Sequence, residues 1–468
     1  MIAKITKKEL IIFFFALIIQ SIFLIIFIHL AGEQQILSGD GREYYTLGKN
    51  LLTTGQFRLS LAPAGLPESL RTPFYPLFLA FCLFLINQIW FISLMQIFIS
   101  GLIAVLLYRL SRLFLTGRWQ LLPVILYLAN PYTWLTSVLA MSEVLYTLFF
   151  LLAVYSLFRY LQKNAWSPLV ASVFWLAVSI LVRPVSYYLF FCYFIFLVIY
   201  QIIRSKNSRA IIYIVLIFFT AWSLFIFSWS WRNYRSFDRF QISSIQNYNL
   251  YFYNARLAYA TVNGIAKDGA KDILRQRAAA DLSPLALARN INYEDWRRSL
   301  FATDYYQQQA MTILKPHIFS YAKLHFIGTL PFFFDAGWRD VFATLNIDIG
   351  QSQSLTLFLT HGDLSAIWHN ITQNAVYFLV FALGKIYYLL IFILVLSAGF
   401  WAPRRDRLSI WIIYFLILYF ATVSSLVANA RYRYPVEPLM LIVAVISLAN
   451  IFSSIGPLSN PSPNAKIK

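Results

Sequence analysis

Residues Leu10–Leu30 read LIIFFFALIIQSIFLIIFIHL, 21 residues without an acid, lysine or arginine. A helix rises 1.5 Å per residue, so a run of roughly this length crosses ~30 Å of hydrocarbon. Lys4, Lys7 and Lys8 precede it, as in a signal peptide. The run is too long for a typical signal core and reads as an uncleaved first span. Similar runs recur, and spans are predicted at 10–30, 90–110, 119–138, 142–160, 168–184, 186–203, 210–230, 376–400, 409–428 and 435–453. They are continuous rather than alternating, which excludes barrel strands. The chain is 60% hydrophobic and 12% charged, about half the charge of an ordinary soluble domain. The expected class is an all-α polytopic membrane protein of about ten helices.

The formal net charge of +19 would suggest nucleic acid in a soluble protein. Here the basic residues cluster after alternate spans: Lys4/Lys7/Lys8, Arg109/Arg112/Arg118, Arg159/Lys163, Arg204/Lys206/Arg209 and Arg404/Arg405/Arg407. That pattern is the positive-inside rule with a cytoplasmic N-terminus, so no nucleic-acid partner is expected. Four parts follow: an N-terminal membrane module 1–230, an external segment 231–375, C-terminal spans 376–456, and a Pro/Ser/Asn-rich, disordered tail 457–468. Segment 318–334 is apolar, but a single crossing there would put the Arg404 cluster outside. With Lys323, His325 and Pro331 it reads as an interfacial helix. The first external loop, 31–89, is expected to carry a helix from Glu43 to Thr54, stopped by Gly55, and another from Phe74 to Ile86. Cys82 and Cys192 lie in apolar segments and imply neither a disulfide framework nor a metal cluster.

The external side receives the chemically interesting residues. The first loop contains Ser38-Gly39-Asp40-Gly41-Arg42-Glu43-Tyr44-Tyr45, and 31 residues after Asp40 comes Arg71-Thr72-Pro73-Phe74-Tyr75-Pro76. A carboxylate partly shielded from water at a membrane interface can take a proton from an acceptor; equally, Asp40 could cap the helix that follows. Glu143 opens the fourth span, as a dipole-complementing acid or a second carboxylate of a site. Arg71, Arg183, Arg232, Arg431 and Arg433 all map to the external side, and Arg183, Arg431 and Arg433 break the positive-inside pattern. Guanidinium groups bind phosphate bidentately; the plain alternative is snorkelling or ion pairing with Asp40, Glu143 or Glu437. His361-Gly362-Asp363 with His369 fits no standard metal spacing.

Asp40, Tyr44, Gly48 and Gly55, followed by Arg71-Thr72-Pro73-Phe74-Tyr75-Pro76-Leu77, resemble the GT-C glycosyltransferases, most closely the protein mannosyltransferase and aminoarabinose transferase branch (glycosyltransferase family 39-like). Ser142-Glu143, Leu181-Val182-Arg183-Pro184, Asn247 to Leu250-Tyr251, Ala310 to Pro316 and Arg431-Tyr432-Arg433-Tyr434-Pro435 with Pro438 resemble further family segments in order. The resemblance implies transfer of a sugar, with inversion, from a polyprenyl-phosphate donor on the non-cytoplasmic face of the plasma membrane. By it, Asp40 is the general base and Arg71, with Arg183, Arg431 or Arg433, lies at the donor phosphate. Glu143, Tyr44 and Tyr75 face the acceptor, which could be a glycan, lipid or protein. No cofactor is named, although a divalent cation could assist. Two positions depart from the pattern: the mannosyltransferases place Glu where this chain has Gly41, and the aminoarabinose transferases have Lys-Pro near Arg71. The competing readings are a lipid-linked sugar flippase and an O-antigen polymerase or ligase type of enzyme.

Overall fold

A computed structural model describes residues 5–62, 65–205, 208–349, 372–401 and 406–455. Lys4, Lys206, His361, Asp363, His369, Arg404, Arg405 and the 457–468 tail lie outside the described residues. The described residues are helical and contain no strand. In order, the membrane module comprises α1 (Lys7–Ala31), α2 (Gly41–Thr54), α3 (Phe74–Leu85), α4 (Ile89–Ser111), α5 (Leu122–Ala129), α6 (Pro131–Val138), α7 (Glu143–Lys163), α8 (Trp166–Val182), α9 (Tyr187–Ser205) and α10 (Ser208–Ala221). A π-helical turn, Trp222–Phe227, continues α10 into the helix Ser228–Phe237. The C-terminal part has long helices at Ala375–Trp401, Arg407–Ser424 and Glu437–Ile455.

Among the described residues, seven helices are long and apolar enough to cross a membrane, and three shorter apolar helices accompany them: Phe74–Leu85, Trp166–Val182 and Glu437–Phe452. The expected spans 168–184 and 435–453 correspond to two of the short ones. The expected straight span 119–138 is corrected. It breaks at Asn130-Pro131 into α5 and α6, because proline lacks the N–H needed to continue a helix and disfavours helical geometry in the residue before it. Asn130 is extended there and its side chain accepts from the backbone N–H of Tyr132 at 3.1 Å, capping α6.

Contacts fix which helix ends lie together. Thr6 and Glu9 close a capping box at the start of α1, and Glu9 also accepts from Arg109 Nε at 2.8 Å in the last turn of α4. The start of α1 and the end of α4 therefore share one end of the bundle. At the other end, Glu33 accepts from the backbone of Trp90, the backbone N–H of Ala140 donates to Ile36 O, and Arg183 pairs with Glu143. Leu439–Ile446 of the last long helix are buried on every side, which makes it the central helix.

The segment after α10 builds a core of its own around Tyr251, Leu274, Leu282, Trp296 and Tyr306. The helix Thr303–Leu314 stops at Lys315-Pro316, as its sequence dictates. Segment 318–334 forms two pieces, Ile318–Gly328 and Leu330–Phe334. The longer, 11 residues, is about half the length a crossing needs, and its exposed side carries Phe319 and Phe326.

α2 and α3 form as expected, with Gly55 in the left-handed conformation ending α2. They touch at Gly48, where an added Cβ would meet Leu79 Cβ at 2.9 Å, Pro76 O at 3.0 Å and Ala80 N at 3.1 Å. Two of these are backbone atoms with no rotamer to give way. Gly48→Ala is expected to separate the pair and to destabilise the fold by about 1–3 kcal/mol, read as a lower Tm of the purified protein in detergent.

Candidate active site

The first loop turns sharply at Gly39, whose φ of +60° favours glycine. Asp40 then occupies the cap position of α2, yet its side chain makes no capping bond. That disposes of the helix-cap reading. The carboxylate is instead held between two arginines: Arg71 NH2 donates to Oδ1 at 2.8 Å and Arg431 NH2 to Oδ2 at 2.7 Å. Gly41 explains the departure from the mannosyltransferase pattern. A Cβ there would come within 3.1 Å of the Ala140 carbonyl, so a glutamate could not stand beside Asp40 without displacing backbone.

The pairing continues in both directions. Arg71 also donates through Nε to Glu43 Oε2 at 3.0 Å. Glu43 in turn receives both terminal nitrogens of Arg298, at 2.7 and 2.8 Å, and Arg298 lies 3.9 Å from Glu68. On the other side Arg431 Nε pairs with Glu143, and Glu143 with Arg183. The result is one alternating chain, Arg183–Glu143–Arg431–Asp40–Arg71–Glu43–Arg298–Glu68, with four cations and four anions.

Local structure sets each member. Glu68 accepts from the backbone N–H groups of Leu70 and Arg71, and Thr72 donates to Val182 O at 3.0 Å, fixing the Arg71 turn against the end of α8. Tyr44 lies under the Arg71 guanidinium, 5.0 Å from ring centre to Cζ, and its hydroxyl meets Ser142. Asn429 caps the turn Ala430–Arg433, which presents Arg431. Glu143 is fully buried at the start of α7, and its Oε2 has no hydrogen-bond partner.

The electrostatics follow. Burial alone would raise the proton affinity of Asp40. The charges of Arg71 and Arg431 and their hydrogen bonds outweigh it and hold the carboxyl well below the usual range. Glu43 is lowered in the same way, burial again being overcome, by the Arg298 hydrogen bond and the charge of Arg71. Each carboxylate of the chain has a guanidinium partner, and among the described residues no group of three or more His, Cys, Asp and Glu could hold a metal ion. Among the described residues the carboxylates of this series are engaged by arginines, and no step is assigned to a divalent cation.

Of the residues singled out in the sequence, Asp40, Arg71, Arg183, Arg431, Glu143 and Tyr44 come together. Arg433 does not. It is fully buried, stacks on Tyr388 at 3.6 Å, donates to Phe332 O and lies 3.9 Å from Glu437. Residues two apart on a helical turn face different ways, so Arg433 is a support for the turn rather than a phosphate ligand. Tyr75 is also buried; its hydroxyl donates to Gln96 at 2.6 Å and its ring packs edge-on against Tyr44, so it faces no acceptor. Arg232 is held by Glu68 O and Trp229, outside the chain of pairs. Sequence reasoning missed Arg298 and the roles of Glu43 and Glu68. Arg298 sits among many charged residues at helical spacing and carries no local signal.

The sequence profile of the dolichyl-phosphate-mannose-protein mannosyltransferase family matches residues 70–231. This stretch holds Arg71, Glu143 and Arg183. No curated protein matches the chain. Among solved structures, the archaeal oligosaccharyltransferase AglB from Archaeoglobus fulgidus, in complex with an inhibitory peptide and a dolichol-phosphate, is similar over 94% of this chain and 51% of its own, with 12% identity and a TM-score of 0.45. The chain thus spans about half the length of that protein.

In this alternating series of charges, removing one anion leaves buried cations uncompensated, which costs about 3–5 kcal/mol. Glu143→Ala, which removes the carboxylate that Arg183 pairs with and one of the two that Arg431 pairs with, is expected to destabilise the protein by that amount. Chemical or thermal unfolding of the two proteins in the same detergent measures it.

Proposed function

We propose that the protein transfers a sugar from a polyprenyl-phosphate-linked donor to an acceptor on the non-cytoplasmic face, with inversion at the anomeric carbon. The observation that carries this reading is the placement of one acid, Asp40, between two arginines that can bind phosphate. Arg71 and Arg431, with Arg183 beside them, receive the donor phosphate. Asp40 accepts the proton of the acceptor nucleophile. The nucleophile bonds to the anomeric carbon as the bond to the phosphate oxygen breaks, and the lipid phosphate leaves with the electron pair. Neutralising that leaving group is the main electrostatic task, and guanidinium groups suit it.

An apolar cavity of about 450 Å³ supports a lipid-linked donor. It lies among α7, α8, α9 and the Arg407–Ser424 helix, with Phe150, Leu157, Phe196, Trp411 and Phe415 in its walls. Phe150 is seven residues along α7 from Glu143, ~10 Å at helical rise, so the cavity starts below the arginines and is suited to an isoprenoid chain. A flippase would more often carry its charges mid-span and show repeat symmetry. Here the ion pairs gather at the helix ends.

Purified protein is to be assayed with a panel of polyprenyl-phosphate sugars for release of polyprenyl phosphate. Asp40→Asn is expected to lose about 10²–10⁴-fold in turnover while retaining donor binding. Full activity in this variant would remove Asp40 from the role of base, and no release from any donor by the wild type would favour the flippase. The sidedness is checked separately. A cysteine at Ser38 is expected to react with an impermeant thiol reagent from outside intact cells, and one at Arg112 only after permeabilisation; equal labelling would break the assignment.

A further inference from the structure

The resting site presents a difficulty for base catalysis. A base works best when its proton affinity lies near the operating pH, yet both Asp40 oxygens are occupied by guanidinium nitrogens. The eight-membered chain of pairs is also balanced, four positive against four negative groups. An incoming phosphate finds no surplus cation in it and must draw one from a resident carboxylate.

The geometry shows which carboxylate yields. Arg71 is tethered through Nε to Glu43, and Arg431 through Nε to Glu143. Glu43 has a second cation in Arg298, and Glu143 a second in Arg183. Asp40 is held only by the two NH2 groups that these tethered arginines share with it. Phosphate oxygens suit the same donor forks that bind a carboxylate, so a turn of the two planar guanidinium groups about their side-chain torsions, with Arg71 still held by Glu43 through Nε and NH2, exchanges one anion for the other. Around Asp40 also lie Glu43 and Tyr44 on its own helix and Tyr253, which is close enough to feel its charge; the further cations nearby are Arg42 on the same helix and Arg256, stacked on Tyr253, and among the described residues the ion pairs of Asp40 are with Arg71 and Arg431.

We propose that Arg71 and Arg431 form a two-position clamp, which holds Asp40 when the donor is absent and turns to the donor phosphate when it binds, so that the substrate itself releases the base. This rests on the transfer reading above. Once released, Asp40 is a partly buried carboxylate beside a phosphate, and both burial and the like charge raise its proton affinity. Without donor it stays ionised to low pH; with donor it protonates at higher pH, and activity falls as pH drops through that point.

The test uses wild-type enzyme and the polyprenyl-phosphate sugar that turns over in the panel above. A sugar phosphodiester does not itself titrate near neutrality, so the acid limb reports the enzyme. The acid limb of kcat, which reflects the donor complex, is expected at least about one pH unit above that of kcat/KM, which reflects the free enzyme. Arg431→Gln is expected to move the kcat/KM limb up towards the kcat limb, whereas a purely structural role would lower kcat and leave both limbs in place. As a readout independent of turnover, infrared difference spectra on adding polyprenyl phosphate at mildly acidic pH are expected to show a new protonated-carboxyl band that is absent in Asp40→Asn. Turnover with coincident limbs and no such band overturns the clamp alone. A failure to turn over any donor overturns the transfer reading, and the infrared band then still decides whether phosphate displaces the arginines from Asp40.

Discussion

The alternation of guanidinium and carboxylate between Arg183 and Glu68 is the constraint on which the rest of the structure depends. Buried charges persist only when paired and hydrogen-bonded. These pairs tie together four parts of the chain: the first loop, the ends of α7 and α8, the segment after α10 and the turn before the last helix. The first loop contributes four charges, the ends of α7 and α8 two, and the other parts one each, and each is mispaired if another moves away. Apolar burial is non-directional, whereas guanidinium–carboxylate geometry is directional, so the charge chain fixes how these parts meet.

A second polar node, inside the bundle, supports the first. Asn130 donates to Tyr388 and to Glu437 Oε1, and accepts from Trp338. Tyr388 also donates to Glu437 and stacks under Arg433. The break between α5 and α6 thus does more than interrupt a helix. It frees Asn130 to hold the start of the central helix, and through Arg433 it anchors the turn that presents Arg431. The two arginines, two residues apart, divide the work between the interior and the site.

Much of this was legible from residue order. Long apolar runs gave the helices, and Gly55 and Pro73 set the ends of α2 and α3. The arginines expected on the external side stood out because a topological rule predicts few of them there, and Arg183 and Arg431 pair with Glu143 and Asp40. Averaged hydropathy did not show the break at Asn130-Pro131, since one asparagine barely changes a twenty-residue window. Nor could spacing separate Arg431 from Arg433, because which face of a four-residue turn points inward depends on neighbours such as Tyr388, 43 residues before Arg431 in the chain. Arg298 was hidden for the opposite reason: where charge is common, one more arginine is not an anomaly.

Asp40 meets its partners at sequence separations of 31 and 391 residues. Long-range contacts of this kind close late, because the intervening chain must be ordered first. During synthesis the first loop would therefore emerge and insert with its acid only half paired, and the second guanidinium would arrive when residue 431 had been made. A chain that stops short of that point holds Asp40 with Arg71 alone, so the alternating series of charges closes across the molecule only once residue 431 has been made.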